Sequence, residues 1–465
     1  MDKNDGRDAI RLAISRYLAD NETADQFIPG TTPIPPSGKV VGEPEIQAMV
    51  EASLDAWLTT GRFNAEFEAR LANYLETGRC ITVNSGSSAN LVAISSLFAA
   101  QLGQHALQAG DEIITVAAGF PTTVNPLIQN GGIPVFADVS LDTCNIDTSQ
   151  LHAALSPKTR AIVLAHTLGN PFDLASVIRF CIEHNLYLVE DCCDALGARY
   201  TLPNELSAWH ARSPTDADPS KWTRGTPAAT RKVGSFGHIA TLSFYPAHHI
   251  TMGEGGAVFS RHPELMRIAE SIRDWGRDCW CAPGRDNTCG KRFCSQHGQM
   301  PYGYDHKYIY ANLGYNLKIT DMQAACALAQ LDRLPGFIAQ RQHNFAYLHA
   351  RLLPLAEHLQ LASPTPGSEP SWFGFPMTLR DAGDGTRLEL LRYLDQYRIG
   401  TRLLFAGNLT RQPYFADRAF RTAGDLINTD RAAENTFWVG VWPGLGEAHL
   451  DYVATKIENY FGVGF

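Results

Sequence analysis

Short apolar runs recur along the first half of the chain, with room for about one helix between each pair. They are Ile81-Thr82-Val83, Ile113-Ile114-Thr115-Val116, Pro134-Val135-Phe136-Ala137, Ala161-Ile162-Val163-Leu164 and Tyr187-Leu188-Val189. Runs this short and this apolar fit strands buried on both faces. Strands alternating with helices build a mostly parallel sheet with helices on each side. The expected class is therefore α/β. In such sheets ligands gather beyond the carboxyl ends of the strands, so the residues after each run are the first places to look for chemistry.

The rest of the chain divides around that sheet. Residues 1 to about 26 read as a short amphipathic helix, and Phe27–Gly42, rich in Pro, Gly and Thr, as an extended arm rather than a packed element. Pro44 opens a helix that runs to Trp57, and a second spans Asn64–Leu75. A long helix opens in the segment beginning at Gly314 and runs to about Leu353, linking to a smaller α/β domain. The expected division is 1–44 for the helix and arm, 45–335 for the large domain and 336–465 for the small one. Residues 202–230, punctuated by prolines, read as a surface insertion.

The 465 residues suffice for two domains, and a net charge of −9 points away from nucleic acid. No apolar run approaches the ~20 residues of a membrane span. Met1–Arg11 has no apolar leader core, and ten cysteines in so long a chain do not suit a secreted disulfide scaffold. The expected location is cytoplasmic.

Three strand ends carry candidate chemistry. Asn84-Ser85-Gly86-Ser87-Ser88 lies where a strand turns into a helix. Small residues there let backbone N–H groups approach an anion, which makes Gly86 and Ser87 phosphate candidates. Asp191 ends the fifth run, within Val189-Glu190-Asp191-Cys192-Cys193-Asp194. Downstream, a strand over Ala240–Phe244 breaks at Pro246 and passes through Gly253-Glu254-Gly255-Gly256 into a second strand, Ala257–Ser260. That turn holds Tyr245 and His248. An imidazole with an unperturbed pKa of about 6.5 is suited to proton transfer near neutrality.

These segments together resemble the DegT/DnrJ/EryC1/StrS family of sugar aminotransferases. The resemblance implies an aspartate aminotransferase-like, fold-type I architecture dependent on pyridoxal phosphate. That family's pattern is Ser-Phe-X-X-X-Lys before a glycine-rich turn, its lysine holding the cofactor as a Schiff base. Here Ser243-Phe244 is followed by His248 in the lysine's place. Lysine acts as a nucleophile on the cofactor aldehyde, and imidazole forms no such stable bond. The cofactor is therefore expected as non-covalently held pyridoxamine phosphate, with His248 as base. The resemblance further implies Phe120 stacking on the cofactor ring, Asp191 pairing with the pyridinium nitrogen, Asp194 beside the ring and Ser243 on the phosphate. Asn316, in Gly314-Tyr315-Asn316, reaches the phosphate in a neighbouring subunit, so a homodimer with shared sites is expected. Phe373 is expected in the sugar pocket, and Arg402 is a candidate for a nucleotide-sugar phosphate.

A second constellation is Cys279-Trp280-Cys281, then Cys289 and Cys294. Two thiols one residue apart and a third eight residues on can supply one metal centre, although the spacing does not choose between zinc and iron–sulfur. By position, Cys192, Cys193 and Cys294 are open as a fourth ligand, and Cys193 stands two residues from Asp191. With His248, this pattern resembles the nucleotide-sugar 3-dehydrase branch of the family, which uses pyridoxamine phosphate and a [2Fe-2S] cluster on CDP- or dTDP-linked sugars. There the resemblance makes Cys193 the fourth ligand.

It implies loss of the C3 hydroxyl from a nucleotide-linked 4-keto-6-deoxyhexose, protonated by His248 or Tyr245. Two electrons then arrive singly from a separate reductase. The alternatives are a dehydratase without a cluster, regenerated by glutamate, and a non-catalytic relative that binds sugar nucleotides.

Overall fold

The computed structural model describes residues 3–21, 27–216, 218, 220–226, 229–380 and 386–462. Parts of two expectations, residues 1–2 and 22–26 of the first helix and Pro219 and Pro227 of the insertion, lie outside them. The chain opens with α1 (Lys3–Asp20), α2 (Glu43–Leu54) and α3 (Arg62–Tyr74). The large sheet then begins with β1 (Arg79–Val83), followed by α4 (Gly86–Leu97), β2 (Glu112–Val116), α5 (Pro121–Gln129) and β3 (Ile133–Ala137). Next come the short α6 (Leu151–Ala154), β4 (Thr159–Ala165), α7 (Leu174–His184) and β5 (Tyr187–Asp191). Every apolar run read from the sequence is a strand.

Among the described residues, the connection from β5 back into the sheet contains no helix. It holds β6 (Arg199–Thr201), β7 (Trp209–Ala211), β8 (Trp222–Arg224) and β9 (Thr230–Lys232), in which β7 and β8 form a hairpin. The 202–230 segment is therefore anchored rather than merely laid on the surface. Trp222 is buried, and its indole N–H donates to the Leu186 carbonyl at 3.0 Å. Then β10 (Ile239–Ser243) and β11 (Gly256–Ser260) enter the sheet, and α8 (Pro263–Arg273) follows. The order is β1-β11-β10-β5-β4-β2-β3, parallel from β10 to β3, with β11 antiparallel to both its neighbours.

After α8, residues 274–320 contain little regular structure before α9 (Asp321–Leu352), the long helix. A capping box at its start explains why it begins there: the Thr320 hydroxyl accepts from the Gln323 amide, and the Gln323 side chain reaches back. Position 335, the expected domain boundary, falls inside α9.

Beyond lie β12 (Leu359–Leu361), β13 (Ser368–Glu369), β14 (Gly374–Leu379), α10 (Arg387–Gln396) and β15 (Arg402–Leu403). They are followed by β16 (Arg421–Thr422), α11 (Ile427–Asn435), β17 (Thr436–Gly440) and α12 (Glu447–Tyr460). The small sheet is antiparallel, in the order β12-β14-β17-β15. The chain also returns from this region to the large sheet, where β16 adds as an edge strand beside β3.

The arm is extended as expected, but it is packed. Ile34 is buried in the small domain's core and bridges to Ile399, while the Pro35 carbonyl accepts from the Trp442 indole at 3.1 Å. No helix among the described residues is long and apolar enough to cross a membrane.

Candidate active site

Successive residues of a strand point to opposite faces, and the end of β5 uses that alternation. Glu190 faces one way, and its buried carboxylate accepts from the backbone amides of Gly234, Phe236 and Gly237 at 2.7, 2.9 and 2.6 Å, and pairs with His166 at 3.1 Å. Burial pushes its carboxyl up, but His166 and these amides outweigh that and hold it below its ordinary range. The pairing fixes the turn that leads into β10. Asp191 faces the other way and is nearly buried. Its carboxylate accepts from Asn90 Nδ2 at 2.8 Å, Thr123 Oγ1 at 2.7 Å and the Cys193 amide at 3.1 Å. Thr241 on β10 bonds to Asn90 Oδ1 at 2.7 Å. This shell from α4, α5 and β10 was not read from the sequence.

The β1–α4 turn meets β10 at close range. The Ser85 hydroxyl accepts from the Ser88 amide at 3.0 Å and caps α4. Gly86 and Ser87 stand at the helix start, where backbone amides favour an anion. A Cβ on Gly86 would lie 2.4 Å from Ser243 Cβ and 3.1 Å from Cys193 Sγ. Three predicted residues therefore converge, and glycine is what lets them. Phe120 caps α5 half-exposed, its ring 6.1 Å edge-on from Phe405.

Phe244, which follows β10, is buried with its ring edge-on to Phe67 of α3 at 5.4 Å, so the strand end is anchored before the turn begins. The His248 amide donates to the Tyr245 carbonyl at 2.9 Å. The His248 ring has Nε2 3.3 Å from Asp194 Oδ1 and lies 5.2 Å from the ring of Phe373. Its Nδ1 is buried and has no hydrogen-bond partner among the described residues. Tyr245 is half-exposed, its ring 6.4 Å from that of His248. The structure thus brings together His248, Asp194, Tyr245 and Phe373, the last from the far end of the sequence.

Three expected residues stand apart. Asn316 is exposed, with Lys318 Nζ donating to it at 2.6 Å; the next carbonyl, that of Leu317, accepts from the Asn84 amide at 2.8 Å beside the β1–α4 turn. Arg402 is exposed on β15 opposite Trp438. Cys193 lies against Gly86 and outside the cysteine trio, and burial, with Asp191 next, pushes its thiol well up.

The trio itself is assembled. The sulfurs of Cys279, Cys281 and Cys289 lie within 4.8 Å of one another, and Cys289 Sγ is 3.6 Å from His306 Nδ1. His306 is buried, with Nε2 2.6 Å from Asp278. Burial raises the Cys281 thiol, but the Thr288 hydroxyl and the neighbouring amide and thiols outweigh it and bring the group down to about 7. Cys294, one of the open choices for a fourth ligand, is exposed and bonds to the Gly290 carbonyl at 3.5 Å.

A model of the DegT/DnrJ/EryC1/StrS aminotransferase family matches residues 41–458. The chain is 54% identical over 465 residues, all of both chains, to the lipopolysaccharide biosynthesis protein RfbH of Salmonella typhimurium. It is 46% identical over 456 residues to the dTDP-4-dehydro-2,6-dideoxy-D-glucose 3-dehydratase of Saccharopolyspora spinosa, covering 98% of this chain and 92% of that one. Among solved structures, a mutant GDP-4-keto-6-deoxymannose-3-dehydratase with bound GDP-perosamine superposes with a TM-score of 0.77. That match, at 24% identity, covers 91% of this chain and 100% of the other, and the shared fold is that of pyridoxal-phosphate-dependent aminotransferases.

Proposed function

The chain belongs to the DegT/DnrJ/EryC1/StrS aminotransferase family, and from that premise we propose that it removes the C3 hydroxyl of a nucleotide-linked 4-keto-6-deoxyhexose. At the coarser level it is a pyridoxal-phosphate-type sugar-modifying enzyme of that family. The observation that carries the finer reading is His248, on the glycine-rich turn where family members hold their lysine, paired with Asp194 from the segment after β5. An imidazole there, with a carboxylate 3.3 Å from Nε2 and a buried, unpartnered Nδ1, is built as a base rather than as an amine nucleophile.

The residues fit pyridoxamine phosphate. Gly86, Ser87 and Ser243 would hold its phosphate, Phe120 would stack on its ring and Asp191 would pair with its ring nitrogen. When bound, this cofactor supplies an amine for the C4 ketone and a ring that accepts electrons. Asn90 and Thr123 keep the Asp191 carboxylate oriented. Asp194 would hold Nε2–H of His248 and leave Nδ1 to take a proton from the carbon that bears the cofactor's amine. The protonated His248, or the phenol of Tyr245, then protonates the departing C3 hydroxyl. Phe373 lines the sugar side, Arg402 binds a nucleotide phosphate, and Asn316 serves the partner subunit's phosphate in a homodimer.

Cys279, Cys281 and Cys289 would supply three ligands of a [2Fe-2S] centre, with Cys193 as the fourth, taking single electrons from a separate reductase. The position of Cys193 outside the trio favours one competing reading, a glutamate-regenerated dehydratase in which the thiols bind zinc or no metal. Anaerobically purified protein should contain about two iron and two sulfide per chain. Zinc, or no metal after reconstitution, would select the competing reading. His248→Asn should keep pyridoxamine phosphate while C3 deoxygenation falls at least ~100-fold. Unaltered turnover would remove His248 from the base role.

A further inference from the structure

The turn that carries His248 is fastened from behind by a buried cation. Arg341, midway along α9, is 1% exposed. Its Nη1 donates to the carbonyls of Trp372 and Phe373 at 3.2 and 3.3 Å, and its Nη2 to those of Ala247 and His248 at 3.5 and 3.4 Å. The guanidinium carbon lies 5.9 Å from the Phe373 ring centroid. Burial pushes the guanidinium down to about 9, partly offset by Asp194. Burying a charge costs several kcal/mol unless it is compensated, and carbonyl dipoles compensate only in part. An apolar side chain would fill this space without that cost, but it would not bind four carbonyls at once.

A second tie runs alongside. His249 Nε2 donates to the Ser371 carbonyl at 2.8 Å. On the other edge of that segment, the Ser371 amide donates to Gly169 at 3.1 Å and the Phe373 amide to Leu168 at 2.8 Å. Ser371–Phe373 is thus held to the large domain through Leu168 and Gly169, and to the catalytic turn through His249 and Arg341. Among the described residues, only Arg341 donates to both the His248 carbonyl and the Phe373 carbonyl.

We propose that Arg341 is a positioning residue for the reaction: its fork joins the backbone of the His248 turn to that of Phe373, so the His248 ring has one place between Asp194 and Phe373. This rests on the reading of His248 as the base. Lysine keeps the charge but cannot fork, whereas methionine keeps the length without charge or donors.

The test compares Arg341→Lys and Arg341→Met with the wild-type holoenzyme. The readouts are kcat and KM for the nucleotide-linked keto sugar, the pyridoxamine phosphate Kd, and spectra of protein carrying 15N-labelled histidine. In Arg341→Lys, Kd and KM should stay within about threefold while kcat falls about 10- to 100-fold, as expected when a catalytic group is displaced by about 1 Å. The His248 ring signals should shift or split. Arg341→Met should fall further, and if it does not fold, the lysine variant alone decides. Unchanged kcat and unchanged ring signals would overturn the proposal. So would a fall in cofactor affinity and Tm with kcat of the loaded enzyme preserved, which is the mark of a merely structural cation. Wild-type protein that does not deoxygenate would instead refute the proposed reaction, with the ring signals still reporting on the Arg341 fork.

Discussion

At the scale of the residue, a few contacts carry most of the chemistry. Asp194 is 3.3 Å from His248 Nε2, and under the proposed base role its carboxylate would stabilise the imidazolium formed when Nδ1 takes a proton. Asp194→Asn should preserve the contact but remove the charge, lowering kcat about 10- to 100-fold with little change in cofactor affinity; steady-state kinetics and a cofactor titration check this. Gly86 is small for a different reason, because a Cβ would come 2.4 Å from that of Ser243. Gly86→Ala should weaken pyridoxamine phosphate binding about 10- to 100-fold, corresponding to ~1–3 kcal/mol of overpacking. His248, Asp191 and Gly86 were legible because each lies in a local pattern that a strand end or turn imposes. Asn90 and Thr123 were not legible as the Asp191 shell, since they stand 101 and 68 residues away and resemble ordinary helix residues.

At the scale of the element, α9 is the member against which other parts are set. Glu45 in the first turn of α2 is fully buried and accepts from Gln330 at 2.7 Å and Arg333 at 2.8 Å, both on α9, and from the Gly42 amide at 2.7 Å. Burial raises the Glu45 carboxyl, but Arg333 and the other donors outweigh it and lower the group below its ordinary value. A carboxyl depressed in the folded state binds its proton more readily when unfolded. Its contribution is therefore full above the unfolded value of about 4.3 and is lost as pH falls through the lower folded value. Glu45→Gln should cost about 2 kcal/mol near neutrality. Urea denaturation at pH 7 and at pH 3 should show the gap between the two proteins closing at the lower pH. The sequence marked both helices, the first from Pro44 and its apolar spacing, but the α2–α9 contact depends on packing across nearly 300 positions.

At the scale of the whole molecule, several large apolar side chains are exposed ahead of α9. Trp275, Tyr302, Tyr308, Tyr310 and Leu313 all lie on the segment between α8 and α9, and Leu313 is 90% exposed. Exposed apolar side chains are what a protein–protein contact covers, and the proposed homodimer would use these. Asn316, proposed to serve the partner subunit's site, follows this segment directly. If the proposed sharing holds, mixing Asn316→Asp with His248→Asn subunits should restore activity. Each mixed dimer would regain one intact site, so random exchange would yield about a quarter of wild-type turnover. No recovery in dimers confirmed by native mass spectrometry would mean that each site is built within one chain.

The sequence by itself determined the alternation of strands and helices, the phosphate turn, Asp191 at its strand end, the imidazole in the lysine position and the spacing of Cys279, Cys281 and Cys289. All of these are written in neighbouring residues, because periodicity, turn chemistry and short motifs act over a few positions. Tertiary structure decided what distant residues do to one another. It placed Asn90 and Thr123 on Asp191, Phe373 against His248, Arg341 behind the catalytic turn and Cys193 apart from the other thiols. Such contacts arise where buried polar groups must find partners wherever packing brings them, and no local spacing records that requirement.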